Sequence, residues 1–178
     1  PLMGWDKASL ISGAGTFTVR NDAPFSTSNP HYLQIKSLGK GPFAVENGGF
    51  RGIGVKAGET YDFSAQLRSL GGRATLYLEL VDIKGKVLSA TIIRGISGNW
   101  TEHKAMLRPD KTDPKSYLRL SVQAGETVDL DMVSLFPRKT WKNRPGGLRA
   151  DMVQLLADLK PGFLRFPGGC IVEGNFLT

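Results

Sequence analysis

The stretch Thr60-Tyr61-Asp62-Phe63-Ser64-Ala65-Gln66-Leu67-Arg68 decides how the rest of the chain is read. Tyr61, Phe63, Ala65 and Leu67 alternate with polar residues, and a period of two puts successive side chains on opposite faces of a strand that is buried on one side. Gly71-Gly72 then turns the chain into Ala74-Thr75-Leu76-Tyr77-Leu78-Glu79-Leu80-Val81, which alternates in the same way. Ile83-Lys84-Gly85-Lys86 turns it again into Val87-Leu88-Ser89-Ala90-Thr91-Ile92-Ile93, so the three runs read as consecutive antiparallel strands.

Similar runs lie at 16–20, 31–38, 50–56, 100–107, 117–123 and 127–136. About nine short strands at this spacing, with no helical period among them, predict a mostly β domain, a two-sheet sandwich of the jelly-roll or galactose-binding-like kind over residues 1–138. After Pro137 the period changes. Leu148, Met152, Leu155, Leu156 and Leu159 line one face of an amphipathic helix over about 146–160, preceded by Pro145-Gly146-Gly147 and stopped by Lys160-Pro161-Gly162. The apolar run Phe163-Leu164-Arg165-Phe166 follows at once, a strand over about 162–167. A helix feeding directly into a buried strand belongs to a parallel sheet, which needs neighbours on both sides. Residues 139–178 are therefore expected to be the first part of a larger barrel or sheet.

Composition narrows the function classes. At 178 residues, 40% hydrophobic and 22% charged, the chain has the make-up of a globular protein and not of a disordered one. The net charge of +7 comes from lysines and arginines spread along the chain, without the basic helix or aromatic-interleaved patch that marks a nucleic-acid partner. No apolar run could span a bilayer. The single cysteine, Cys170, excludes an intramolecular disulfide framework and leaves the compartment open. Gly52-Ile53-Gly54 and Gly39-Lys40-Gly41 lack the remaining residues of dinucleotide and P-loop motifs.

Three segments carry a resemblance. Leu130-Asp131-Met132-Val133-Ser134-Leu135-Phe136-Pro137, Arg144-Pro145-Gly146-Gly147-Leu148-Arg149, and Phe163-Leu164-Arg165-Phe166-Pro167-Gly168-Gly169-Cys170 with Glu173-Gly174 resemble the family 51 α-L-arabinofuranosidases. The similarity is to members with a carbohydrate-binding-like sandwich inserted between the first and second strands of a (β/α)8 barrel. It implies a parent glycosidase that releases terminal arabinofuranose from arabinan and arabinoxylan with retention, and that is secreted or periplasmic. Retention needs two carboxyl groups about 5 to 5.5 Å apart. The resemblance places both on later barrel strands, so the chain is expected to hold no catalytic pair and to be inactive alone.

The resemblance also implies that Arg165, Gly168, Gly169, Cys170 and Glu173 line the sugar pocket of the parent. Arg165 interrupts an apolar strand, where a guanidinium needs partners; a structural residue of the barrel interior is the competing reading. Cys170 stands where many relatives carry asparagine; a small packing residue is the competing reading, since His31 and His103 both belong to the sandwich.

On the sandwich, alternation turns Tyr77, Gln66 and Arg119 outward, and if their strands are neighbours they form a platform for sugar stacking and hydroxyl contacts. A solvated polar face is the plainer reading. Trp100 could stack on a sugar or plug the core. No cofactor is expected; Asp129 and Asp131, with Glu126 close by, are the candidate ligands for a structural calcium, although no EF-hand spacing is present. The expected partners are arabinose-containing cell-wall polysaccharide and the remainder of the barrel.

Overall fold

The computed structural model describes residues 4–9, 13–144 and 146–163. It divides into two compact units, Pro1–Arg138 and Lys139–Thr178.

The described residues of the first unit form eleven strands: β1 (Trp5–Lys7), β2 (Gly15–Arg20), β3 (Tyr32–Ser37), β4 (Phe43–Asn47), β5 (Ile53–Val55), β6 (Tyr61–Arg68), β7 (Ala74–Val81), β8 (Val87–Ile96), β9 (Thr101–Leu107), β10 (Asp113–Val122) and β11 (Thr127–Pro137). They form two antiparallel sheets. Sheet one runs β1-β4-β10-β7-β8, with β5 beside β10, and sheet two runs β2-β3-β11-β6-β9. The sandwich expected from the alternating runs is thus present. Its core is the set of inward positions that alternation picks out: Phe63, Ala65 and Leu67 of β6 face Leu76, Leu78 and Leu80 of β7, with Leu120, Val122, Val128 and Leu130 completing the layer.

Two strands escape the alternation rule. β1 is only three residues long, and Phe43, Ala44 and Val45 of β4 are all buried, so β4 carries a continuous apolar run instead of a period of two. Pairing also departs from the expectation of three consecutive antiparallel neighbours. β7 and β8 do form a hairpin, but β6 pairs with β9 and β11, so the Gly71-Gly72 segment carries the chain from one sheet to the other.

β10 is shared along one edge by two strands. Its first half pairs with β5 through Asp113 and Ser116, with an irregularity between those two, and its second half pairs with β4 from Leu118 to Val122. The chain crosses between these partners at Gly52, whose φ is +95° and whose missing Cβ would lie 2.5 Å from the Lys115 Cα. Only glycine fits that crossing.

In the second unit a short 3-10 turn, Trp141–Asn143, precedes α1 (Ala150–Asp158). Thr140 and Arg149 form an isolated antiparallel bridge, and the Trp141 amide donates to the Leu148 carbonyl at 3.0 Å. This turn uses residues 146–149, so the helix starts later than the hydrophobic period suggested and Leu148 lies outside it. The expected strand at 162–167 falls, apart from its first two residues, outside the described residues.

Candidate functional site

Arg165, Gly168, Gly169, Cys170 and Glu173 lie outside the described residues. The remaining candidates lie on the sandwich, and the two-sheet arrangement separates them.

Tyr77 and Arg119 share the outer face of sheet one: Tyr77 is opposite Ser121, and Arg119 is opposite Glu79 and Glu46. Gln66 is on β6, and therefore on the outer face of the other sheet. The three-residue platform does not assemble, because the chain changes sheets between β6 and β7. Arg119 is also less available than its outward position suggested. Its guanidinium is 2% exposed and clamped between Glu46 at 2.7 Å and Glu79 at 3.4 Å, which neutralises a charge that burial would otherwise penalise.

Trp100 has a structural assignment. Its indole N–H donates to the Ala23 carbonyl at 3.1 Å, and its ring lies 4.5 Å from the Arg68 guanidinium and 5.2 Å from the Tyr32 ring. Beneath it Arg68 donates to Asp129 Oδ2 from Nη2 at 2.7 Å and from Nε at 3.0 Å, to the Ala23 carbonyl and to the Tyr32 hydroxyl. Asp129 Oδ1 accepts from Gln34 at 2.8 Å. Burial, together with the nearby Asp129 and Asp22 carboxylates, pushes the Tyr32 phenol up. At the margin of this cluster, hydrogen bonds from Arg20 hold the Asp22 carboxyl down to about 2. Trp100 thus roofs a buried ion pair, and the cation-π stack uses the ring in place of a sugar.

The same cluster bears on calcium. Asp129 is consumed by Arg68 and Gln34, and Glu126 Oε2 accepts the Gln123 amide. The three carboxylates do not converge, and no group of three or more His, Cys, Asp or Glu among the described residues could hold a metal ion.

A feature not foreseen lies further along β11, past its pairing with β3. That strand pairs with β3 only as far as Leu130, opposite Leu33, whereas it continues against β6 to Pro137. Past Leu130, sheet two is therefore one neighbour short. β11 also bulges between Asp131 and Ser134, with Met132 at φ +50°. The gap opens a cleft of about 620 Å³ into the sandwich, walled by Trp5, Asn29, His31, Asn47 and the 130–135 segment over an apolar floor that includes Leu33 and Leu118. Asp131 is 8% exposed; its Oδ1 accepts the Met132 amide at 2.7 Å, and its Oδ2 has no hydrogen-bond partner among the described residues.

No family model matches the chain. Individual proteins do. The chain is 40% identical over 175 residues to an extracellular exo-α-L-arabinofuranosidase of Streptomyces chartreusis, covering 97% of this chain and 20% of that protein. It superposes on an arabinose-bound family 51 α-L-arabinofuranosidase with a TM-score of 0.82 at 34% identity, over 94% of this chain and 28% of the other. A xylan-binding domain from Paenibacillus barcinonensis shares the sandwich fold alone, with a TM-score of 0.54 at 13% identity over 77% of this chain and 87% of that domain. No helix among the described residues is long and apolar enough to cross a membrane. With the sandwich in place, the likeness to α-L-arabinofuranosidases, a family 51 member among them, extends over nearly all of this chain, which spans 20% of the Streptomyces protein and 28% of the family 51 structure.

Proposed function

We propose that the protein carrying this chain hydrolyses terminal non-reducing α-L-arabinofuranosyl residues of arabinan or arabinoxylan with retention, outside the cytoplasm, and that the sandwich is a non-catalytic, carbohydrate-binding-like module of it. The observation that supports this reading most is the 40% identity to the Streptomyces enzyme, spread over 175 residues and not confined to one motif. The reading calls on the remainder of a barrel as partner and on no nucleic acid or membrane.

The side chains in hand support a division of labour. A retaining glycosidase needs two free carboxyl groups about 5 to 5.5 Å apart. On the sandwich, Glu46, Glu79 and Asp129 are tied to arginines. In residues 139–178, Asp151 is paired with Arg149 and Asp158 accepts from Gln154, which leaves Glu173 without a second carboxylate to work with. The purified chain is expected to release no arabinose from a chromogenic α-L-arabinofuranoside, and a protein joining it to the remaining barrel should release it with retained anomeric configuration, read by proton NMR. Turnover by the chain alone, or inversion by the longer protein, would overturn the reading.

A purely structural sandwich is the second reading, and it has its own observation. Phe136 and Met106 lie on either side of Asp62 in one row of sheet two's outer face, 52% and 57% exposed. Two large apolar side chains in register on a solvent face fit a packing surface better than a sugar platform.

A further inference from the structure

The cleft beside the β11 bulge contains two costly features at one point of one strand. Asp131 Oδ2 is buried without a hydrogen-bond partner among the described residues, whereas buried polar groups are almost always paired. The next residue, Met132, holds a positive φ that side chains other than glycine rarely adopt. Bulges re-aim side chains near functional sites, and local strain gathers there. Here Asp131, the last residue in register before the bulge, lines a cavity that the short β3 leaves open.

We propose that this cleft binds a short neutral saccharide, with Asp131 Oδ2 accepting a sugar hydroxyl and Trp5 offering an aromatic wall. The proposal rests on the reading of the sandwich as carbohydrate-binding-like and gives that reading a location away from the Tyr77 face. The volume of about 620 Å³ falls within the range of small-ligand sites. No lysine or arginine lines it, so an anionic ligand would meet no counter-charge. One carboxylate is too few for a hard cation that takes six to eight oxygens. Asn29, His31, Asn47 and Ser134 can both donate and accept, as sugar hydroxyls do, and the apolar floor suits the C–H faces of the ring.

The test is an NMR titration of the whole chain, stripped of metals with EDTA, against arabinan- and arabinoxylan-derived oligosaccharides at millimolar concentration. Shifts are expected at Trp5, Asn29, His31 and residues 131–135, with binding at least tenfold weaker in Asp131→Asn and unchanged in Tyr77→Ala. Asn29→Trp, at an exposed position on the rim, should block the cleft while the strand amides keep their shifts, and it decides the matter if Asp131→Asn does not fold. Binding with shifts centred on Tyr77 and Ser121 would overturn the cleft and leave the module reading standing. Shifts at Asp131 with calcium but with no sugar would make the cleft a cation site and overturn the proposal. No response to any oligosaccharide would sink both.

Discussion

Arg68 and Asp129 show how a charge can be held inside an all-β core. Both are nearly inaccessible, 5% and 2% exposed, and every polar side-chain atom of the pair has a partner: the Ala23 carbonyl, the Tyr32 hydroxyl and the Gln34 amide take the bonds that the pair does not make with itself. Removing one partner strands the other, so Arg68→Met should lower stability by about 3–5 kcal/mol in urea unfolding. The double variant Arg68→Met/Asp129→Leu should recover much of that loss, because no uncompensated charge remains. Met132 points the other way. Its left-handed backbone costs about 1–2 kcal/mol and its side chain is mostly solvated, so Met132→Gly should raise the unfolding midpoint. His103 sets a pH dependence. Burial lowers its pKa from 6.5, so below that value the unfolded chain takes up a proton that the folded chain refuses. The stability contributed by neutral His103 is fully present above pH 6.5 and is lost as pH falls toward the depressed folded value. His103→Gln should flatten the change in midpoint measured between pH 7.5 and pH 5.

At the scale of elements, close approaches fix how the sheets meet. Gly15 starts β2 directly over Phe43, where an added Cβ would lie 2.3 Å from the ring and 2.5 Å from the Lys36 carbonyl oxygen. Neither backbone nor a fully buried ring can give way easily, so Gly15→Ala should destabilise by about 1–3 kcal/mol and loosen the β2–β3 edge first, as read by amide exchange. What the sequence disclosed about these elements follows from what alternation encodes. A period of two reports that one face is buried, which is why β6 and β7 were legible. It says nothing about which sheet a strand joins, and so Gln66 and Tyr77 could look like neighbours. Arg119 reads as an outward residue by parity, but the Glu46 and Glu79 that bury its charge stand 73 and 40 residues away. The cleft did leave a trace. The inward residues of β11 run Val128, Leu130, then Val133, Leu135, and the step of three marks the bulge that follows Asp131. The rest of that site was not legible, since its lining comes from seven separate segments.

At the scale of the molecule, the two units differ in what holds them. The sandwich buries a continuous core of leucines and phenylalanines between two sheets, whereas none of the residues of α1 is buried, and Met152, Leu155 and Leu156 stand more than half exposed. A nine-residue helix is below the length at which helices persist in water on their own, so tertiary burial has to supply the missing stability. The Gln154–Asp158 contact, four residues apart, adds only a few tenths of a kcal/mol. Hydrogen exchange should therefore be graded: amides of β6, β7 and β10 should exchange only through global unfolding, and those of residues 153–158 within the dead time of a manual experiment. In a longer protein that supplies the neighbouring barrel strands, the same helix amides should gain protection of a hundredfold or more, while those of β6 and β7 stay as they were. Equal protection of α1 in both proteins would mean that the helix is stabilised by something within residues 1–178, and the barrel would no longer be needed to explain its exposed leucines.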